Sequence, residues 1–307
     1  MKIAFVGASG YGNVGDDTYP LVFREHLPEH EVLFLNSDLP TEMPAGIGLL
    51  VFGGGGVIHN DGARSPGAES PHFAAMKHYL DWARAAGVPW GLLSCGIQFS
   101  SAAEQASFDI SELEPWAPYL RDAAFITMRS AFCKSVADRL GSRTDSRSFP
   151  DAAYLFAGRM KDQPHDTRAP RQFTVVPAGS VYIQHAFIQH IIAPYDRAPG
   201  WKMVWLNMGA MVDARDNFIH AKRLYPECTI IERPTPHEAL EQIAASAFVL
   251  TGRYHGMVFA RSCRVPFYVH TVAPSKIKHE DFTVDPAKAI GHIDTIREFI
   301  SRFTAAV

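Results

Sequence analysis

The sequence predicts an α/β protein of two domains of similar size, each a parallel sheet flanked by helices. Three observations lead there. The chain has 307 residues, and at roughly 100–200 residues per domain that length means about two domains. Short apolar, β-branched runs alternate with longer amphipathic stretches along almost all of it, the pattern of strands joined by crossover helices. The alternation weakens once, near Pro150, and Gly158 to Arg171 is rich in charge, proline and polar residues, as an interdomain linker would be. The expected organisation is an N-terminal domain over 1–157, a linker over 158–171 and a C-terminal domain over 172–307. Ligands of open α/β sheets sit in the crevice outside the carboxyl ends of the strands. The expectation is therefore a cleft where the C-terminal ends of two sheets meet.

In the first half the strands are expected at Lys2 to Val6, Glu31 to Leu35, Gly48 to Phe52, Pro89 to Ser94 and Ala124 to Met128. Each is a short apolar run bounded by turn-forming residues. Helices are expected between them at Asp16 to Leu27, Pro71 to Ala86, Ser111 to Leu120 and Ser130 to Leu140, the last with Ser130 as a good N-cap. In the second half strands at Phe173 to Val176, Lys202 to Leu206, Thr229 to Glu232, Phe248 to Thr251 and Phe267 to His270 alternate with helices near Val181 to Ile192, Ala214 to Leu224, Pro236 to Ala245 and Tyr254 to Ser262. A final helix over about His292 to Phe303 closes the chain.

Composition narrows the function. Lys plus Arg is 29 and Asp plus Glu 32, a formal net charge of −3, without the basic excess of a general nucleic-acid binder. A 47% hydrophobic and 20% charged chain is globular rather than disordered or collagen-like. No stretch reaches the roughly 18 uncharged apolar residues of a membrane span, and Met1 to Gly7 is too short an apolar run for a signal peptide. That beginning reads as the first buried strand of a cytoplasmic protein, with room for a peripheral position at the inner face of the membrane. The four cysteines, Cys95, Cys133, Cys228 and Cys263, lie far apart and are expected as buried or half-buried free thiols. No carboxylates or histidines have metal-ligand spacing, so no metal is expected.

Two glycine-rich turns stand out. Gly10-Tyr11-Gly12-Asn13-Val14-Gly15 formally matches the dinucleotide fingerprint. Its glycines start three residues too late for a tight strand-to-helix turn, however, and Asp16-Asp17 follow where the helix should begin. Carboxylates there satisfy the helix terminus themselves and repel a pyrophosphate, which argues against a nicotinamide oxidoreductase. A neutral polyhydroxylated ligand suits the segment better, with Asn13, Asp16 or Asp17 accepting from its hydroxyls; the alternative is that Asp16 only caps the helix. The second turn, Gly53-Gly54-Gly55-Gly56, follows the strand ending at Phe52. Four glycines carry an entropic penalty that makes sense where a ligand or backbone comes close, so Gly54, Gly55 and the nearby His59 are candidates for contact with an acceptor.

The most informative segment is Thr251-Gly252-Arg253-Tyr254-His255-Gly256. A strand ends, a glycine turns the chain, and Arg253 and His255 fall at the start of a helix, a place suited to anions. Arg253 suits a phosphate or carboxylate through two parallel hydrogen bonds, and His255 suits proton transfer near neutral pH. Met128-Arg129-Ser130 likewise ends a strand and opens a helix, and Lys276 lies beyond the strand ending at His270. Convergence of Arg129, Arg253, His255 and Lys276 would make a pocket for a small, highly charged anion.

Together Gly12-Asn13-Val14-Gly15-Asp16-Asp17, the Gly53 to Gly56 run, Arg129-Ser130, Pro150-Asp151 and Arg253-Tyr254-His255-Gly256 resemble the polysaccharide pyruvyl transferase family, in order and spacing, from about Gly7 to Lys276. The resemblance implies a fold similar to the two-domain GT-B glycosyltransferases, two Rossmann-like domains facing across a cleft. It implies transfer of a pyruvyl group from phosphoenolpyruvate to a sugar of a polysaccharide or cell-surface glycan as a ketal. It also implies that Arg129, Arg253, His255 and Lys276, or Lys278 two residues on, hold or act on the donor. From the chemistry of ketal formation His255 is expected as the general acid and base. Phosphoenolpyruvate is then a co-substrate rather than a cofactor, the partner is a free or lipid-linked glycan, and a homo-oligomer remains open. Val176-Pro177-Ala178-Gly179-Ser180 and Tyr182 to His190 depart from what the family suggests. Two rivals stand beside this reading. One is a nucleotide-sugar glycosyltransferase of the same fold, with Glu232 or Glu238 on a ribose; the other is a relative that only binds glycan.

Overall fold

A computed structural model of the chain describes residues 1–36, 42–60, 63, 68–99, 109–142, 145–158, 171–178, 189, 191–192, 195, 200–209, 215–269 and 281–305. It divides into two compact units, the first comprising Met1–Gly10, Tyr19–Ala152 and His279–Val307, the second Tyr11–Thr18 and Ala153–Lys278.

The first unit is built on a six-stranded parallel sheet in the order β2-β1-β3-β4-β5-β6. Its strands are β1 (Lys2–Gly7), β2 (Glu31–Asn36), β3 (Ile47–Ile58), β4 (Trp90–Ile97), β5 (Ile126–Met128) and β6 (Arg147–Ser148). Alternate residues serve opposite faces, as a pleat requires. Ala4, Val6, Leu50 and Phe52 join one core cluster with Phe73, Met76 and Trp116, while Phe5 stacks on Phe23 at 4.5 Å between ring centroids. The helices are α1 (Thr18–His26), α2 (Pro71–Ala86), α3 (Ala117–Asp122), α4 (Ala131–Arg139) and, at the chain's end, α9 (Ile290–Ala305).

Local chemistry sets their limits. Helix α2 starts where the Ser70 side chain accepts from Phe73 N–H and Pro71 supplies a pre-set φ, and it stops at Gly87, whose φ of 66° forms a left-handed cap. Ser130 caps α4 in the same manner, accepting from Cys133 N–H. The single helix expected over Ser111 to Leu120 is instead a 3₁₀ stretch, Ile110–Trp116, followed by α3. Pro115 lies inside the first piece and lacks the N–H that an α-helical ladder requires.

The second unit has a five-stranded parallel sheet in the order β11-β10-β7-β8-β9, from β7 (Gln172–Val176), β8 (Lys202–Leu206), β9 (Thr229–Ile231), β10 (Phe248–Thr251) and β11 (Phe267–Val269). Helices α5 (Ala153–Ala157), α6 (Arg215–Leu224), α7 (Pro236–Ala244) and α8 (Tyr254–Ser262) accompany it. Phe173, Trp205, Phe218 and Phe248 share its core, with Phe173 and Phe248 stacked at 5.1 Å. Strand order reverses between β7 and β10, the switch point where ligands of such sheets bind.

Two segments depart from the expected division. The last helix belongs to the first unit, where Phe299 packs 5.3 Å from Phe125 and His292 bonds Thr127 Oγ1 and Pro150 O at 2.7 and 2.9 Å. Residues 11–18 belong to the second unit, tied there by Val14 N–H donating to Met208 O at 3.2 Å. All four cysteines are buried free thiols, as expected. Among the described residues no helix is long and apolar enough to cross a membrane.

Candidate functional site

At the switch point of the second unit, Ala178 follows β7, Met208 follows β8, and Gly252, Arg253, Tyr254 and His255 follow β10; with Asn13 they line one pocket. Arg253 is the N-cap of α8, and its own side chain makes no capping hydrogen bond to that helix. Thr251 fixes the turn, its hydroxyl accepting from Arg253 N–H at 3.0 Å and donating to Arg253 O at 2.8 Å. The arginine Nε–H donates to Pro177 O at 2.8 Å, which orients the guanidinium. Gly209, after β8, lies so close that a Cβ there would coincide with that guanidinium. The loop is shaped by Asn207, which accepts from Gly209 N–H at 3.0 Å and donates to Glu232 O at 2.9 Å. His255 is buried, with Tyr254 edge-on at 5.3 Å. The backbone of Gly15 lies against its imidazole so tightly that a Cβ would overlap the ring.

The N-terminal loop is ordered by its own polar residues. Asn13 Nδ2 donates to Asp16 Oδ2 at 2.5 Å, Asp17 N–H donates to Asn13 O at 2.9 Å and Thr18 Oγ1 donates to Gly15 O at 2.6 Å. Asp16 is buried. Helix α1 begins only at Thr18 with no acid in its first turn, so neither Asp16 nor Asp17 lies within the helix as expected.

In the first unit Arg129 ends β5 and shares a second pocket with Ser130, Ser148, Phe149, Pro150 and Asp281. Its Nη1 lies 3.7 Å from the carboxylate of Asp151, both side chains being buried. Asp151 also accepts from the Tyr19 hydroxyl, at 2.9 and 3.0 Å to its two oxygens. The neighbouring residues are pinned on both sides: Pro150 O to His292, and Ala152 N–H to Ser94 Oγ at 2.9 Å. Ser94 itself has φ 54°, a left-handed conformation that costs on the order of 1 kcal/mol for a residue with a side chain. Its Oγ bond to Ala152 and its N–H bond to Thr127 Oγ1 at 3.0 Å hold it there.

The glycine run is part of β3 rather than a loop after it, and Gly54 and Gly55 are buried. Packing explains the composition. A Cβ on Gly54 would strike the Tyr19 ring, one on Gly56 the Gln98 side chain and one on Gly53 the carbonyl of Leu93. Farther along, His59 stacks on His72 at 3.8 Å and its carbonyl accepts from Trp116 Nε1 at 3.0 Å. Glu238, a candidate for a ribose contact, is engaged in the capping box of α7, accepting from Thr235 N–H at 2.8 Å; that hydrogen bond holds its carboxyl below the usual range. Lys276 and Lys278 lie outside the described residues, as do Gly179, Ser180 and nearly all of Tyr182 to His190. Thus Arg253, His255 and Asn13 share the pocket of the second unit, while Arg129, Gly54, Gly55 and His59 belong to the first.

Sequence reasoning assigned no role to Tyr19, Asp151 or Gly209. Pro150-Asp151 was visible as a motif, and Asn207-Met208-Gly209 at a strand's C-terminal end is a turn signal. Nothing in the sequence pointed to Tyr19.

Residues 22–271 match the family model of polysaccharide pyruvyl transferases. The chain belongs to that family. Arg129, Arg253 and His255 fall within the matched span of this polysaccharide pyruvyl transferase relative; Asn13, Asp16, Asp17 and Lys276 fall outside it. Among solved structures the family member is similar to UDP-N-acetylglucosamine 2-epimerase from Rickettsia bellii, with a TM-score of 0.59, 6% identity and coverage of 100% of this chain and 97% of that one. It is similar also to UDP-GlcNAc 2-epimerase from Neisseria meningitidis bound to UDP-GlcNAc (0.57, 10%, 98% and 92%) and to an alpha-glucosyltransferase in complex with UDP and DNA (0.51, 13%, 97% and 90%). At such identities the likeness establishes the fold, two Rossmann-like units of the GT-B type. No curated protein sequence matches the chain.

Proposed function

We propose that the protein transfers the pyruvyl group of phosphoenolpyruvate to two hydroxyls of a sugar, forming a pyruvate ketal on a polysaccharide or cell-surface glycan and releasing phosphate. The observation that carries the reading is the joint presence of Arg253 and His255 in one pocket at the start of α8, within a pyruvyl transferase family member. Phosphoenolpyruvate brings a carboxylate and a phosphate, and a guanidinium beside a helix N-terminus suits such an anion.

In the reaction His255 gives a proton to the methylene carbon of the donor. A sugar hydroxyl then bonds to the adjacent carbon and loses its proton. The carbon–oxygen bond to phosphate breaks with its electron pair leaving on phosphate, and a second hydroxyl closes the ketal as its proton departs. Of the two protons released, one replaces that spent on carbon and the other leaves with phosphate. Arg253 stabilises the charge on the leaving group, Arg129 is assigned to the donor as well, and Asp17, Gly54, Gly55 and His59 are assigned to the acceptor.

The test is release of phosphate from phosphoenolpyruvate with a panel of β-galactosides and N-acetylhexosamines, free and lipid-linked. His255→Ala should lower turnover by about 10²–10⁴-fold, the scale of general acid–base catalysis, with the fold retained by circular dichroism. Retained turnover in that variant, or thermal stabilisation by UDP-sugars and not by phosphoenolpyruvate, would overturn the reading. The second outcome would favour a nucleotide-sugar enzyme.

A further inference from the structure

We propose that Asn13, seated by the buried carboxylate of Asp16, binds the donor rather than the acceptor, its side-chain amide donating to an oxygen of the anion held by Arg253. The inference rests on the reading of the Arg253 pocket as the donor site. Three observations carry it. Asn13 lines the same pocket as Arg253 and His255. Its loop is built into that unit, through Val14 N–H on Met208 O and through Gly15 against the His255 ring. The amide is also oriented by its partner: a carboxylate only accepts, so the group facing Asp16 Oδ2 at 2.5 Å is the NH₂ and not the oxygen. One of its two hydrogens is thereby committed, and the second makes no hydrogen bond among the described residues. A neutral donor beside Arg253 adds a directed hydrogen bond to an anion without a further charge that must be desolvated.

The experiment is titration of the full chain with phosphoenolpyruvate and with inorganic phosphate, alongside steady-state kinetics with the sugar found active. Asn13→Ala should weaken phosphoenolpyruvate binding by about tenfold or more, the scale for a lost hydrogen bond to a charged oxygen. The KM of the sugar should stay within about twofold. Asn13→Asp sets a second carboxylate beside Asp16 and the anion and should weaken binding further. A raised sugar KM with unchanged phosphoenolpyruvate affinity would overturn the proposal, as would variants indistinguishable from wild type. Arg253→Ala separates the two levels of the argument. If it abolishes anion binding while Asn13→Ala does not, the Asn13 assignment alone fails; if it has no effect on anion binding, the donor reading fails and the assignment falls with it.

Discussion

The buried pair of Arg129 and Asp151 makes a sharp prediction for stability. Asp151 is 0% and Arg129 3% exposed, so removing the carboxylate takes a counter-charge from a buried cation and leaves the Tyr19 hydroxyl without the acceptor it uses at 2.9 Å. Breaking a buried ion pair from one side costs about 3–5 kcal/mol, and a domain of 150–250 residues loses roughly 2–4 °C of melting temperature per kcal/mol. Asp151→Ala should therefore lower the transition of the first unit by about 10 °C in scanning calorimetry. Asp151→Asn keeps the shape and an acceptor for Tyr19 but no charge. If the ion pair dominates, it should behave nearly like the alanine variant. Tyr19→Phe removes the hydroxyl alone and should cost about 1.5–3 kcal/mol, the value of a hydrogen bond to a charged group. A melting temperature for Asp151→Ala within 2 °C of wild type, about the effect of a single kcal/mol, would refute the assignment of Asp151 as the counter-charge of Arg129.

Two further outcomes follow from buried groups. His292 is pushed down to about 3, mainly by burial, below its unfolded value near 6.5. The unfolded chain then binds the extra proton first, so this group's contribution is fully present above about pH 6.5 and is lost as pH falls toward 3, at about 1.4 kcal/mol per unit. Urea titrations at pH 7 and pH 5 should differ by about 2 kcal/mol from this source, and the difference should disappear in His292→Gln; an equal pH dependence in both proteins would contradict it. Gly209→Ala places a methyl where the Arg253 guanidinium lies and should weaken phosphoenolpyruvate binding by about tenfold or more through a lost charge-assisted contact. Unaltered affinity would show that the arginine is not set by that glycine.

Much of the fold is legible because its signals are local. Helix α2 runs over Pro71–Ala86 and α8 over Tyr254–Ser262, as read from the sequence, since a cap, a proline and a glycine mark one end or the other within a turn. The errors arise where distant residues decide. Gly53 to Gly56 read as a loop because glycine is a weak strand former, yet Tyr19, Leu93 and Gln98 occupy the space their side chains would need, and none of these is a sequence neighbour. Arg253 and His255 could be placed from one strand-turn-helix segment. The Tyr19 bond to Asp151 and the location of Asn13 could not, because they depend on contacts between residues 132 apart in the case of Tyr19 and Asp151, or 194 apart in the case of Val14 and Met208.

The exchange of short segments between the units bears on how the protein can be recombined. A chimera that takes 153–278 from one family member and the remainder from another would pair a foreign loop 11–18 with the imidazole of His255 and the carbonyl of Met208. A crossover scheme that moves 11–18 together with 153–278, and leaves 279–307 behind, keeps each set of packed surfaces from a single parent. The inheritable module for the Arg253 pocket is thus two stretches of gene, the smaller of them eight codons long.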